Sequence, residues 1–591
     1  MDLKWSLNEL YTGFNSNEFK ADLEELNNEI NSIKEWVNTN LNSIDNASDN
    51  VESYVSLVKD FTALYMKLMA YTNLSFAVDT TNEEVSKTLD LLEKKRIELT
   101  APFVRFQKWL GNIDNLEDII SKSELLKEHK FYLKELSDGN KYLLSDDEEI
   151  LISRMSNTGS SAWEKLSETL SSTQLVDIKI DGEEKQLPLS FVRNMAMDKD
   201  PIVRKNAFEA ELKSYEKTEV SLAACLNGIK GEVIIVSKMR GYESPLGETL
   251  IKSRMDKETL DAMLEAMRES LPAFHKYLRK KAEILGHKDG LPFYDLFAPI
   301  GKSNKTFTYE EARDYIVNNF GLYSDKLADY AENAINSRWV DVEPRKGKVG
   351  GAFCDNILPI NESRILINFN GVFKNVLTLA HELGHGYHGD CLSEESILNS
   401  DYPMPLAETA SIFCETIIMN SALKEANNEE AFSILEGALQ NATQIIVDIY
   451  SRFLFESRLF EHRKEYSLSP KELNALMLEA QKEAYGNGLD HSTMHPYMWA
   501  CKPHYYSADL NFYNYPYAFG LLFAKGLYAK YLESKESFIE DYDKLLAATG
   551  KNTIPDVAKM MDVDVRSVDF WRSSLKLIEK DIEKFIELAE V

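Results

Sequence analysis

Phe373-Lys-Asn-Val-Leu-Thr-Leu-Ala-His-Glu-Leu-Gly-His385 joins an apolar helical pattern to two histidines four residues apart. The apolar residues before the first histidine indicate a buried helix. Four residues of helix turn about 400°, so His381 and His385 project from one face at a spacing that suits two imidazoles on one zinc ion. Glu382 points about 100° away from His381, which favours it as the general base rather than a further ligand.

A catalytic zinc usually has three protein ligands and one open position, so a third ligand is expected. His388 lies two helical turns, or about 10 Å, beyond His381, too far to share the ion. Cys391 stands where the motif His-Glu-x-x-His-x-x-Gly-x-x-His requires its third histidine, so that pattern fails. Glu408 begins a new helix after a proline-bearing loop and is the predicted third ligand. Glu415, on the same face, is either a partner that orients a ligand imidazole or an ordinary surface glutamate.

Composition excludes several classes of partner. The chain has 591 residues, 44% apolar, which predicts more than one folding unit. A net charge of -29 should repel phosphate backbones and anionic lipid, so neither nucleic acid nor membrane is an expected partner. Five cysteines without a C-x-x-C pair, no basic-then-apolar N-terminus and no apolar run near 18 residues predict a cytoplasmic protein. The oligomeric state is not indicated.

Most of the chain has the apolar periodicity of amphipathic helices, so we expect a mainly α fold. A stripe of apolar residues predicts the first helix: Phe19, Leu23, Leu26, Ile30, Ile33, Val37 and Leu41. Ser145–Glu148 and Thr308–Glu311 predict capping boxes. Leu175–Ile180, Asp181-Gly182 and an extended stretch to Leu189 predict a β-hairpin, after which we place a domain boundary.

A short strand is predicted at Arg364–Phe369, between the loop Gly347–Ala352 and the zinc-motif helix. We expect it at the edge of a small sheet, where an extended peptide can pair with it. Gly350–Ala352 would then help to align a peptide backbone.

Five groups of residues resemble the thimet-oligopeptidase-like M3 peptidases, in their oligoendopeptidase F branch. They are Gly351–Phe353, Thr378–His385, Glu408–Ser411, Pro503–Tyr506 and Asn511–Gly520. Weaker likeness extends from Trp5 and Leu7 through Tyr294–Leu296, so the resemblance covers nearly the whole chain.

The resemblance implies a two-lobed, mainly helical metallopeptidase with a deep channel for short peptides and a small β-sheet next to the zinc helix. It implies an N-terminal helical domain of the oligoendopeptidase F type at 1–190 and a zinc peptidase domain at 191–591. One Zn²⁺ per chain would be bound by His381, His385 and Glu408.

In such enzymes the distal block, which here comprises Pro503–Tyr506 and Asn511–Gly520, folds back to the metal. His504 would contact the substrate carbonyl or the scissile amide, and a tyrosine hydroxyl would stabilise the oxyanion. Because the histidine-to-tyrosine spacing differs here from that of thimet-type relatives, the tyrosine stays open. Tyr517 is the first choice, then Tyr515, then Tyr513. His491 and His495 are interpreted as structural or surface residues.

The resulting hypothesis is a zinc-dependent endopeptidase that hydrolyses internal bonds of short oligopeptides, with Glu382 as general base. One alternative is a zinc carboxypeptidase of similar helical fold, for which the sequence reveals no cation to hold a terminal carboxylate. Another is a non-catalytic peptide-binding relative, against which the presence of Glu382 argues.

Overall fold

A computed structural model describes residues 3–180, 182–301 and 305–590. The chain forms two compact units, each assembled from separated segments. Unit 1 comprises Met1–Leu143, Asn304–Ser421 and Lys530–Val563. Unit 2 comprises Leu144–Ser303, Ala422–Ala529 and Asp564–Val591.

Helices dominate both units, as predicted. The first segment of unit 1 contains α1 (Asn17–Asn40), α2 (Ala47–Val78), α3 (Glu83–Ile97), α4 (Thr100–Gly111), α5 (Leu116–Ile120), α6 (Glu124–Glu128) and α7 (Lys130–Gly139). The first segment of unit 2 contains α8 (Asp146–Thr158), α9 (Ser160–Thr173), α10 (Leu189–Asn194), α11 (Pro201–Tyr215), α12 (Glu219–Met239), α13 (Pro245–Lys252) and α14 (Lys257–Ile284).

The chain then returns to unit 1 with α15 (Tyr309–Gly321), α16 (Asp325–Asn336), α17 (Phe373–Cys391), α18 (Met404–Ala407) and α19 (Thr409–Glu425). After these come α20 (Asn428–Thr443), α21 (Ile449–Arg463), α22 (Pro470–Tyr485), α23 (Tyr515–Glu533), α24 (Lys535–Ala547), α25 (Ile554–Lys559) and α26 (Val568–Leu588). A π-helical turn, Gln444–Asp448, joins α20 to α21.

Local sequence signals account for several of these elements. The apolar stripe of α1 is buried at Phe19, Leu26, Ile30, Ile33 and Val37, which confirms the predicted inward face. Capping boxes begin α8 at Ser145 and α15 at Thr308, also as predicted.

The predicted hairpin is present in unit 2. Strands β1 (Leu175–Ile180) and β2 (Glu183–Pro188) pair antiparallel, with Ile180 opposite Glu183. Gly182 has φ +84°, in the left-handed region that favours glycine. Asp181 lies outside the described residues.

A second sheet lies in unit 1 beside α17 and corrects one expectation. Its strands are β3 (Val340–Asp341), β4 (Phe353–Ile357) and β5 (Glu362–Leu366), in the order β3-β5-β4. The strand expected at the edge is therefore central, since β5 pairs parallel with β3 and antiparallel with β4. Arg364 on β5 is fully buried, where it pairs with Glu9 and Glu362.

Among the described helices, α12 alone has the length and apolar composition to cross a membrane, whereas no such stretch was expected from the sequence. Just over half of that stretch, 56%, is buried within the protein. Its Lys230 is fully buried and pairs with Glu456 of α21 at 2.9 Å. A buried ion pair of this kind is typical of a core helix in a water-soluble fold. All five cysteines are free.

Candidate metal centre

Helix α17 is fixed against the three-stranded sheet by close contacts of small residues. Asn356 on β4 donates its amide to the carbonyl of His385 at 3.0 Å, and its own oxygen accepts the Ser363 hydroxyl at 2.8 Å. A Cβ on Gly389 would overlap the Asn356 side chain. The hydrogen bond from Asn356 therefore fixes the position of the α17 turn that carries His385 relative to the sheet.

A glycine also lets α19 approach α17. A Cβ at Gly384 would lie 2.6 Å from the Cα of Ser411 and 2.7 Å from the carbonyl oxygen of Ala410. Only a residue without a side chain allows this separation. Glu408, three residues before Ser411, is thereby brought over the two histidines.

Three side chains from α17 and the turn before α19 converge. One donor atom each from His381, His385 and Glu408 lies within 4.8 Å of the others. The Glu408 carboxylate oxygen Oε2 is 3.3 Å from Nε2 of His381 and 3.4 Å from Nε2 of His385. Ser411 donates its hydroxyl to the same carboxylate oxygen at 2.8 Å, which fixes its orientation.

This donor set fits a tetrahedral zinc ion. Ligand atoms about 2.1 Å from a tetrahedral centre are separated from each other by roughly 3.4 Å. The two nitrogen-to-oxygen distances at Glu408 agree with that separation. Two imidazoles and a carboxylate are also the donor types of catalytic zinc sites.

The charges within the site favour a cation. Burial opposes protonation of His381, but the hydrogen bonds to Glu408 and Glu415 raise its pKa to about 10. Burial lowers the pKa of His385 to about 4. Burial likewise opposes ionisation of Glu408, yet His381 and His385 lower its pKa to about 2. The Glu408 carboxylate is thus held ionised next to two imidazole nitrogens, an arrangement of donors that suits a metal ion.

Glu382 differs from Glu408 in that its carboxyl group forms no ion pair with any of the described residues. It is 6% exposed, and burial raises its pKa to about 7, while the charges of His381 and Glu408 act in opposite directions. A carboxyl group with a pKa near neutrality can both accept and return a proton.

The other candidates near the motif have distinct surroundings. Glu415 lies 3.4 Å from Nδ1 of His381, on the opposite side of the ring from Glu408. His388 is fully buried, bonds the Thr549 hydroxyl at 2.8 Å and stacks on Tyr402. Cys391 ends α17, and its nearest polar contact is Lys326.

The distal block belongs to unit 2, whereas the three donors belong to unit 1. His504 lies in the short turn Pro503–Tyr506, where its Nε2 accepts a hydrogen bond from the Asn514 amide at 2.8 Å. Burial, together with the positive charges of Arg452 and Lys502, lowers the pKa of His504 to about 3. The imidazole is therefore neutral at physiological pH. Its approach to the metal centre stays a prediction.

The three tyrosines of this block differ in environment. Tyr515 is 1% exposed and donates its hydroxyl to Ser253 at 2.9 Å. Tyr513 and Tyr517 are partly exposed, and their hydroxyl oxygens are 2.8 Å apart. The ring of Tyr513 also stacks on His504. The hydroxyls of Tyr513 and Tyr517 thus lie on the same side of the block as the imidazole.

Two further histidines occupy different settings. His491 is exposed and bonds the carbonyl of Gly486 at 2.7 Å. His495 is 2% exposed and lies 3.2 Å from the Glu211 carboxylate.

Comparison with known proteins gives the family. Residues 194–577 match the model of peptidase family M3, and residues 112–173 match that of oligopeptidase F. Oligopeptidase PepF of Bacillus subtilis is 27% identical over 485 residues, which cover 80% of this chain and 71% of that protein.

Two solved structures share the fold along almost their whole length. One, from Chlamydophila abortus, has a TM-score of 0.85 at 22% identity and covers 99% of this chain and 98% of its own. Oligoendopeptidase-F from Enterococcus faecium has a TM-score of 0.72 at 18% identity, with coverages of 97% and 99%. The chain belongs to peptidase family M3, in its oligoendopeptidase F branch. The resemblance identified from the sequence motifs is confirmed, and the protein is an enzyme of the metalloendopeptidase class.

Sequence reasoning missed the residues that hold the site together. Asn356, Ser363 and the glycines of α17 carry no catalytic signal individually. The repetition of glycine at 384, 386 and 389 on a helix was the available clue. Glycine inside a helix costs about 1 kcal/mol relative to alanine, so its repeated use indicates that another element packs closely there.

Proposed function

We propose that the protein hydrolyses internal peptide bonds of short oligopeptides at one zinc ion held by His381, His385 and Glu408. The convergence of these three donors within 4.8 Å, with the buried carboxyl of Glu382 on the adjacent position, carries the proposal. The names of relatives, Oligopeptidase PepF among them, support peptides as the substrate class.

The chemistry divides between the ion and the side chains. Zinc bound here would act as a Lewis acid and lower the pKa of a water molecule. Glu382 accepts the proton of the attacking water and returns it to the leaving amine. Its pKa of about 7 suits both transfers.

The distal block supplies the remaining contacts. His504, neutral and oriented by Asn514, donates a hydrogen bond to the substrate. A tyrosine hydroxyl stabilises the developing oxyanion. Tyr517, with Tyr513 as its hydrogen-bonded neighbour, is better suited than Tyr515, whose hydroxyl is buried against Ser253.

Strand β4 is the element that would align the peptide. It pairs with β5 on one side only among the described residues, and Gly350–Ala352 leads directly into it. An extended backbone can add to such an edge irrespective of its side chains. We place the enzyme in the cytoplasm, in keeping with five free cysteines. The domain division at 1–190 and 191–591 and the deep channel remain predictions.

The decisive experiment replaces the general base. Glu382→Gln should retain zinc, measured by mass spectrometry, and lose cleavage of an internally quenched peptide. Lys374→Gln, an exposed position on the same helix, is the matched control and should cleave normally. Undiminished turnover in Glu382→Gln would overturn the proposal. Mapping of the products on a peptide with a blocked C-terminus separates an endopeptidase from a carboxypeptidase.

A further inference from the structure

Unit 2 contains a cavity that the proposed chemistry does not use. Its volume is about 370 Å³, enough for one or two amino-acid residues. The walls come from α10, α11, α14, the π-helical turn Gln444–Asp448 and the segment that leads to His504. Short π-helical turns occur frequently at functional sites.

Aromatic and cationic side chains line this cavity together. Phe208, Phe293 and Tyr294 form an apolar wall. Four cations also line it: Arg193, Arg204, Arg452 and Lys502. An apolar pocket with a few convergent charges is typical of a ligand site.

Each of the three arginines already has a carboxylate. Arg204 bonds Asp295 at 2.7 Å and is 3% exposed. Arg193 lies 3.1 Å from Glu211. Arg452 pairs with Asp448 one helical turn away. Their charges are therefore compensated within the protein.

Lys502 has no such partner. Within the part of the chain that the structure describes, its ammonium group makes no hydrogen bond or ion pair, although Lys502 is only partly exposed. Burial and the nearby positive charge of Arg452 lower the pKa of Lys502 below its usual range. A second polar group in the wall is also unsatisfied, because Nδ1 of the buried His495 has no hydrogen-bond partner among the described residues. Unpaired buried polar groups cost free energy unless a ligand satisfies them.

The cavity adjoins the distal block. Lys502 precedes His504 by two residues. Arg452 donates a hydrogen bond to the side-chain oxygen Oδ1 of Asn514 at 2.9 Å, and the side-chain NH₂ of Asn514 donates to Nε2 of His504. A group bound at Lys502 would thus be held close to the imidazole proposed to contact substrate.

We propose that this cavity is a substrate subsite that binds a peptide carboxylate, with Lys502 as its principal cation and the aromatic wall contacting the adjacent side chain. The carboxylate is either the C-terminal one or that of an acidic side chain. This inference rests on the proposed function, since it assigns a substrate class to the same enzyme.

Three closely related quenched peptides distinguish the two sources of the carboxylate. The first ends in a free carboxylate, the second in an amide, and the third in an amide preceded by glutamate in place of glutamine. The wild-type enzyme should prefer one carboxylate-bearing peptide by about tenfold in kcat/KM over the neutral amide, as for a charge-assisted hydrogen bond. Preference for the first identifies the C-terminus, and preference for the third identifies the side chain.

Lys502→Met keeps the length of the side chain and removes its charge. The ratio of kcat/KM between the preferred carboxylate-bearing peptide and the neutral amide should therefore fall to near one. Lys502→Arg should retain part of it. Lys482→Met, at an exposed lysine of the same unit, is the matched control and should keep the full preference. Because each variant is judged by a ratio between peptides, a general loss of activity does not affect the result. A wild-type ratio near one, or an unchanged ratio in Lys502→Met, would overturn the subsite.

Binding measurements test the subsite independently of the proposed peptidase activity. Calorimetry of the same peptides with Glu382→Gln, and with Glu382→Gln combined with Lys502→Met, needs no turnover. If carboxylate-dependent binding is lost only in the double variant, the subsite is supported even when the wild-type enzyme cleaves none of the peptides. Equal binding of acid and amide contradicts it, however active the enzyme is.

Discussion

The metal-centre region, 373–415, and the distal block, 503–520, satisfy their polar groups in different ways. In the first, one oxygen of the Glu408 carboxylate lies 3.3 Å from Nε2 of His381 and 3.4 Å from Nε2 of His385. In the second, side chains bond each other: His504 with Asn514, and Tyr513 with Tyr517. The first region is organised to receive a cation, whereas the side chains of the second are held by hydrogen bonds to one another and to Arg452 and Ser253. Loss of a predicted zinc ligand, or of a residue that positions one, should alter metal content, whereas changes in the distal block should leave metal content unchanged.

Loss of the shared carboxylate should have the largest effect. Glu408→Ala leaves two imidazoles, too few protein ligands for a catalytic zinc. We expect zinc content well below one per chain and a fall in kcat/KM of at least about a thousandfold. Mass spectrometry of the metal and peptide cleavage test this. Glu394→Ala removes an exposed carboxylate of the same unit and should change neither. Full zinc content in Glu408→Ala would exclude Glu408 as a ligand.

The distal block is tested by removing single hydroxyl groups. Tyr517→Phe should lower kcat by about 10²–10³, or about 2.7–4 kcal/mol, because an oxyanion contact is lost. Zinc content should stay at the wild-type value. Tyr515→Phe loses the bond to Ser253 and should cost about 1 kcal/mol of unfolding free energy, with a much smaller change in kcat. A larger loss of kcat in Tyr515→Phe than in Tyr517→Phe would transfer the role to Tyr515.

The close approach of α17 and α19 gives a test of packing. Gly384→Ala places a methyl group against the backbone of Ser411 and Ala410, so the helices must separate. We expect a loss of about 1–3 kcal/mol of unfolding free energy and weaker zinc binding, since Glu408 moves with α19. Gly437→Ala is the matched control. It lies exposed in α20 with nothing within 4 Å of the added carbon, and should stabilise by up to about 1 kcal/mol.

The smallest effect is expected for Glu415, whose carboxylate lies next to Nδ1 of His381. Glu415→Gln removes the charge next to Nδ1 but keeps the size of the side chain. Zinc affinity should fall about 10–100-fold, as for other residues that orient a ligand imidazole. Titration of the apo-enzyme with zinc measures this, and kcat at saturating zinc should change little. An unchanged zinc affinity would reduce Glu415 to an ordinary surface glutamate.

Periodicity and short local motifs predicted the elements whose determinants are local. The stripe of α1, the capping boxes at Ser145 and Thr308, and the hairpin before Leu189 follow from residues within one or two turns of each other. The edge position of β5 was wrong, because the order of strands depends on which segments pair and not on the segment itself.

The sequence by itself determined that His381 and His385 share a helix face and that Glu382 stands beside them, since covalent geometry and helical pitch fix those relations. It also supplied the motifs by which the family is recognised. Only the tertiary structure decided that Glu408 meets both imidazoles, through the space left at Gly384. It also decided that Lys502 lines a cavity with no carboxylate partner among the described residues. Contacts between segments far apart in the chain depend on how whole helices pack, which no single sequence motif encodes.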